Sequence, residues 1–157
     1  MLLSELLNPK AVATDLRATS KREAIVELVD LLESAHGLMT HGEILDRVLR
    51  REAMMSTGIG NGVAIPHGKA KAVDRMLAAC AISRVGVGFE SADGEPAHIF
   101  ILLVSPETVG TSHVKVLANI SRLLKEESVR KSLREAEGSA GLLAALRTAE
   151  SQYLTTS

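Results

Sequence analysis

The chain has 157 residues, 46% apolar and 24% charged, with 18 basic and 19 acidic side chains and a net charge of −1, which fits one domain spanning 1–157. That balance gives no basic excess for nucleic acid, and Phe89, Phe100 and Tyr153 are too few aromatics to stack single strands. One cysteine, an N-terminus without a basic start or apolar run, and no apolar stretch near ~20 residues predict a cytoplasmic protein without internal disulfides or membrane insertion.

In chain order, Val12 to Leu16 reads as a short strand. Ser20-Lys21-Arg22-Glu23 matches a capping box and opens a helix with apolar positions at 24, 25, 28, 29, 31 and 32, which Gly37 ends. Thr40-His41-Gly42-Glu43 reads as a second capping box. The helix it opens carries Ile44, Leu45, Val48 and Leu49 and runs to Arg51 or Met54. A glycine-rich stretch, Thr57 to Gly62, contains Asn61-Gly62, a tight-turn pair. Val63-Ala64-Ile65 is a short strand stopped by Pro66, which has no N–H for a ladder. Met76 to Val85 is a further strand, and the unbroken apolar run Ile99 to Val104 is one buried on both faces. After Pro106 and a loop, helices follow over Ser112–Lys125, over Val129–Ala136 with Ser128 as cap, and over Leu142–Ala149 after Gly138-Ser139. The fold class is α/β, a small mixed sheet covered by helices.

Most histidines have ordinary readings. His36 and His41 flank a polar loop and read as solvent-exposed, and His98 reads as structural. Cys80 reads as a small buried hydrophobe and the five methionines as core filler, although exposed Met54, Met55 or Ile59 could instead give a partly apolar docking surface around His67. No metal-ligand spacing, serine elbow or P-loop is present, and the glycine cluster precedes a strand instead of following one, which argues against a nucleotide.

Ile65-Pro66-His67-Gly68 is different. It presents an imidazole at a strand end, with Gly68 leaving a flank of the ring open. Imidazole is partly neutral near pH 7 and nucleophilic, and its bond to phosphorus is labile, so it suits reversible phosphoryl transfer. Arg51, at a helix end, is either a bidentate anion contact or a solvated helix-end cation. His113, in the first turn of the next helix, either faces an anion held by free N–H groups or lies on the surface.

Arg51-Glu52 followed by Ser56-Thr57-Gly58-Ile59-Gly60-Asn61-Gly62-Val63-Ala64-Ile65-Pro66-His67-Gly68-Lys69 resembles the active-site signature of enzyme IIA domains of the bacterial phosphoenolpyruvate phosphotransferase system. The branch is the fructose/mannitol class, and the similarity is greatest to its nitrogen-related regulatory proteins. The resemblance implies a mixed sheet sandwiched by helices and a phosphohistidine at His67, with Arg51 and His113 stabilising the phosphoryl group. It implies a histidine phosphocarrier protein as donor and no cofactor, metal or small-molecule turnover. The acceptor is then a regulated partner protein or, in the sugar-specific alternative, a separate IIB domain. A binding module that works without turnover is a further alternative. A metal-dependent hydrolase using His67 and His113 lacks a carboxylate ligand set.

Overall fold

The computed structural model describes residues 1–154. In chain order the elements are α1 (Leu3–Leu6), β1 (Leu7–Ala13), α2 (Lys21–His36), α3 (Glu43–Met54), β2 (Gly58–Gly60), β3 (Val63–Ala64), β4 (His67–Ala70), β5 (Leu77–Val87), β6 (Ala97–Pro106), α4 (Ser112–Leu123), α5 (Glu127–Arg134) and α6 (Gly138–Tyr153). The strands form one mixed sheet in the order β1-β5-β6-β3-β2, with β4 also on β6. β5 and β6 are antiparallel, whereas β1 runs parallel to β5, and β3 and β4 run parallel to β6.

Both faces of this sheet are covered, which is why β6 is apolar without alternation. Ile99, Ile101 and Leu103 pack under α4, α5 and α6 with Val116, Ile120 and Leu146. Phe100, Leu102 and Val104 pack under α2 and α3 with Ile25, Leu28 and Val48. Each such fully buried aliphatic side chain contributes about 1.5–3 kcal/mol relative to exposure. Ala79 and Ala81 keep β5 low beneath α2, and the edge-to-face pair Phe89–Phe100, 5.5 Å between centroids, fills the remaining space. The architecture is the helix-sandwiched mixed sheet expected from the sequence.

Several local expectations change. Pro66 interrupts a strand without stopping it. Val63↔Ile99 and Ala64↔Phe100 are followed by His67↔Leu103 and Gly68↔Val104, so β3 and β4 lie along β6 in one unbroken register. Pro66 gives up its missing donor at that break, and its carbonyl still accepts from Leu103 N–H at 3.1 Å. His67 therefore begins a strand. The first strand covers 7–13 instead of 12–16, because Leu7 and Val12 both pair with β5 across an irregular stretch containing Pro9. Leu16 N–H still reaches the Ile82 carbonyl.

Ser20 caps α2 by accepting from Glu23 N–H at 3.2 Å, and Gly37 closes that helix in the left-handed region. The second capping box does not form. Gly42, at φ 87°, occupies the cap of α3 and Thr40 donates its hydroxyl to Glu33. The Glu43 carboxylate instead accepts from Lys71 and Ala72 N–H at 2.9 and 2.8 Å. Ser128 lies inside the first turn of α5, where its hydroxyl meets that of Tyr153, and Glu126 holds the cap position.

Of the methionines, Met76 alone is buried; Met1, Met39, Met54 and Met55 are exposed, because strand and helix aliphatics already fill both core layers. His36 is half-buried, not exposed, since the end of α2 packs beside β1 where the Asn8 amide donates to the Ala35 carbonyl. Burial and the Arg75 cation hold its pKa below the usual range. His98 is structural as expected, its ring bonded to the Ser83 carbonyl, and Cys80 is fully buried with its thiol pushed up to about 12 by that burial.

Gly68 brings β4 against α3. A Cβ there would lie 3.2 Å from Val48 N and 3.3 Å from the Arg47 carbonyl carbon. Gly68→Ala is expected to cost about 1–3 kcal/mol through overpacking, measured as a lower midpoint in urea with the m-value unchanged.

Candidate functional site

Parity along the β3–β4/β6 register assembles the site. His67 pairs with Leu103 and Lys69 with Ser105, so these side chains point to the face that α4 covers. Gly68 and Ala70 point to the α3 side. At the end of β6 the chain turns through Thr108–Thr111 into α4, whose second residue is His113. The His67 and His113 rings are 5.5 Å apart between centroids and tilted by 57°.

His67 is half-buried, and its Nδ1 lies 2.8 Å from the Ile65 carbonyl. A carbonyl only accepts, so Nδ1 carries the proton and the Nε2 lone pair is the free one. Burial lowers the pKa of the ring, and the Arg51 cation adds to that; the Ile65 hydrogen bond and Glu52 act in the opposite direction. His113 is 6% exposed, with Nδ1 paired to the buried Ser105 hydroxyl at 2.6 Å. Its pKa is pushed down to about 4, first by burial and then by His67 and Lys69. Both rings are neutral at pH 7.

Arg51 reaches the site from the last turn of α3. Its Nη1 donates to the Met55 carbonyl at 2.8 Å, which stops the helix end from fraying and fixes the guanidinium. The loop that follows is held by Glu52 and Ser56. Glu52 accepts from Thr57 N–H at 2.8 Å, from the Thr57 hydroxyl and from Lys21 at 2.8 Å. The Ser56 hydroxyl donates to the Phe89 carbonyl and accepts from Gly58 N–H. Asn61 and Gly62 both have positive φ, the pair a tight β2–β3 hairpin needs. Arg47 on α3 pairs with Glu107 at 2.8 Å and so ties α3 to the loop that leads into α4.

The structure thus brings His67 and His113 together and sets Arg51 where its charge acts on His67. Sequence reasoning assigned nothing to Ser105, Lys69 or the Glu52–Thr57 pair. Strand parity would have placed Lys69 beside His67, but only the register with β6 reveals Ser105. Met54 and Met55 at the end of α3, Ile59 on β2 and Val114, which follows His113 in α4, are exposed apolar side chains. Among the described residues no group of three His, Cys, Asp or Glu side chains is placed to hold a metal, and no helix is long and apolar enough to cross a membrane.

Residues 5–149 match the family described as "Phosphoenolpyruvate-dependent sugar phosphotransferase system, EIIA 2". The chain is 36% identical over 137 residues to the PTS system fructose-specific EIIABC component of Bacillus subtilis, a match covering 87% of this chain and 22% of that relative. It is 35% identical over 134 residues to a nitrogen regulatory protein of Bradyrhizobium diazoefficiens, covering 85% of this chain and 87% of that one. Among solved structures, nitrogen regulatory protein IIA-Ntr from Neisseria meningitidis superposes with a TM-score of 0.84 at 31% identity, over 91% of this chain and 97% of that one.

Because both site histidines resist protonation when folded, the unfolded chain binds more protons between about pH 6.5 and 4. Stability is therefore expected to fall across that window as pH drops. A histidine titration by NMR should put the His67 midpoint below 6.5 and that of His113 near 4; midpoints at or above 6.5 would contradict the burial argument.

Proposed function

The chain belongs to the EIIA 2 family of the phosphoenolpyruvate-dependent sugar phosphotransferase system, and from that membership we propose that it carries a phosphoryl group on Nε2 of His67. A phosphohistidine carrier protein is the donor and a second protein receives the group or reads the phosphorylated state. The whole chain, 1–157, acts as one such domain, in the cytoplasm where phosphoenolpyruvate is made available.

The observation that carries this reading is the His67 ring, pinned through Nδ1 by Ile65 with its nucleophilic Nε2 left free beside His113. In the transfer step, the bond from phosphorus to the donor nitrogen breaks as the bond to Nε2 forms, in line. The reaction needs placement and charge stabilisation more than proton transfer. Arg51 supplies a permanent cation to the equatorial oxygens. His113 is neutral and acts as a donor: with the Ser105 hydroxyl donating to its Nδ1, the proton sits on Nε2 and can bond a phosphoryl oxygen. The first-turn N–H groups of α4 add to this. The exposed apolar side chains Met54, Met55, Ile59 and Val114, on the segments that carry Arg51, the glycine-rich loop and His113, supply the docking surface for donor and acceptor proteins.

For output, the likeness to nitrogen regulatory proteins favours a regulatory role, in which phosphorylation state is read by a partner. The second reading, a sugar-specific IIA that feeds a separate IIB, is favoured by the comparable identity to the fructose-specific component.

Incubation with enzyme I, a histidine phosphocarrier and labelled phosphoenolpyruvate is expected to label His67 alone. His67→Ala should take no label, and Arg51→Ala should be labelled about a hundredfold more slowly with its fold intact. Label retained by His67→Ala would overturn the proposal. Transfer from the labelled protein to a fructose-type IIB would select the sugar-specific reading.

A further inference from the structure

Glu52 follows Arg51 on α3 but points the other way, into the protein, with 5% of its surface exposed. A carboxylate in such a place costs free energy that an apolar side chain of the same size would not. Here it is fully engaged, by Lys21 at the start of α2, by Thr57 N–H and by the Thr57 hydroxyl. Lys21 is itself braced against Glu90 at 3.1 Å. Thr57 lies just before β2, where no ladder partner serves its N–H.

What Glu52 holds there leads directly to the site. The Thr57 carbonyl accepts from Ile65 N–H at 3.0 Å, and the Ile65 carbonyl accepts from His67 Nδ1–H at 2.8 Å. Glu52, Thr57, Ile65 and His67 thus form one chain of hydrogen bonds, anchored on α2 at one end and ending on the reacting ring. We propose that Glu52 is a positioning residue: acting through Thr57 and Ile65, it holds the His67 imidazole in the single tautomer and orientation that leave Nε2 outward. The inference rests on His67 being the phosphoryl acceptor, and it adds a role for a residue that touches neither the phosphoryl group nor the partner.

Ring-nitrogen NMR at pH 7.5 tests it on the full chain, without any donor protein. The wild type should show a protonated Nδ1 and an unprotonated Nε2 at His67. Thr57→Val and Glu52→Ala should each give nitrogen signals averaged between tautomers, and labelling by the phosphorylated donor should slow roughly tenfold to a hundredfold, the scale that misplacing a reacting group costs. Thr57→Ser, which keeps the hydroxyl, should restore both. The His98 ring, bonded to Ser83 outside this chain of contacts, should stay unchanged and report an intact fold; where Glu52→Ala fails to fold, the Thr57→Val and Thr57→Ser pair decides. A wild-type tautomer and rate in Thr57→Val, or an equal loss in Thr57→Ser, would overturn the proposal. If the wild type takes no label at His67, the carrier reading fails, while the tautomer comparison still decides the role of Glu52.

Discussion

The unbroken register of β3 and β4 along β6 decides where every group of the site points. Val63, Ile65, His67 and Lys69 share one face because the ladder keeps its count across Pro66. A slip of one residue would turn His67 toward α3 and Gly68 toward α4. The proline could have ended the pairing, yet only its own N–H is lost there: its carbonyl still accepts from Leu103 N–H of β6, and the register resumes at His67. Ser105 lies on that same face of β6, which is why the partner of His113 comes from the strand beside His67.

Helix α3 serves as the brace for this arrangement. Glu43 at its start holds the turn after β4, Arg47 in its middle holds Glu107 before α4, and Glu52 near its end holds Thr57 before β2. Between these ties, Gly68 lets β4 lie directly on the helix. The three segments that surround His67 are therefore all referred to one rigid element, and Arg51 is carried on it. Rigid mounting matters for a phosphoryl transfer, where the gain comes from placement of charge already in position and not from rearrangement during the reaction.

Much of this was legible in the sequence, for reasons that differ by residue. Ser20 and Glu23 form their cap because that signal is local, decided within one turn. Thr40 and Glu43 show the same spacing, but tertiary contacts overrode it: Glu33 took the Thr40 hydroxyl and the turn after β4 took the Glu43 carboxylate. The apolar run of β6 announced burial on both sides, whereas the exposure of four methionines could not be read from composition, because it depends on which aliphatics reach the two core layers first. His67, Arg51 and His113 stood out by residue chemistry and by their places at a strand end, a helix end and a helix start, and the roles given them came with the long motif. Ser105 and the Glu52–Thr57 pair were not singled out, since their importance lies in a register and in a loop fold that no local spacing encodes.

The electrostatic character of the site bears on the difference between a carrier and a hydrolase. The side chains whose charges bear on the two rings are the cations Arg51 and Lys69 and the carboxylate of Glu52. That carboxylate is committed to Lys21 and to both donors of Thr57, so it is not free to accept a proton from an attacking water. His113, neutral to about pH 4, has its Nδ1 occupied by Ser105, and on the carrier reading its Nε2 faces the phosphoryl group as a donor. On the carrier reading this matters as much as the nucleophile itself. A phosphoryl group on His67 would then meet the Arg51 and Lys69 cations, while the Glu52 carboxylate is already engaged, which suits a group held until a partner protein brings its own nucleophile into line.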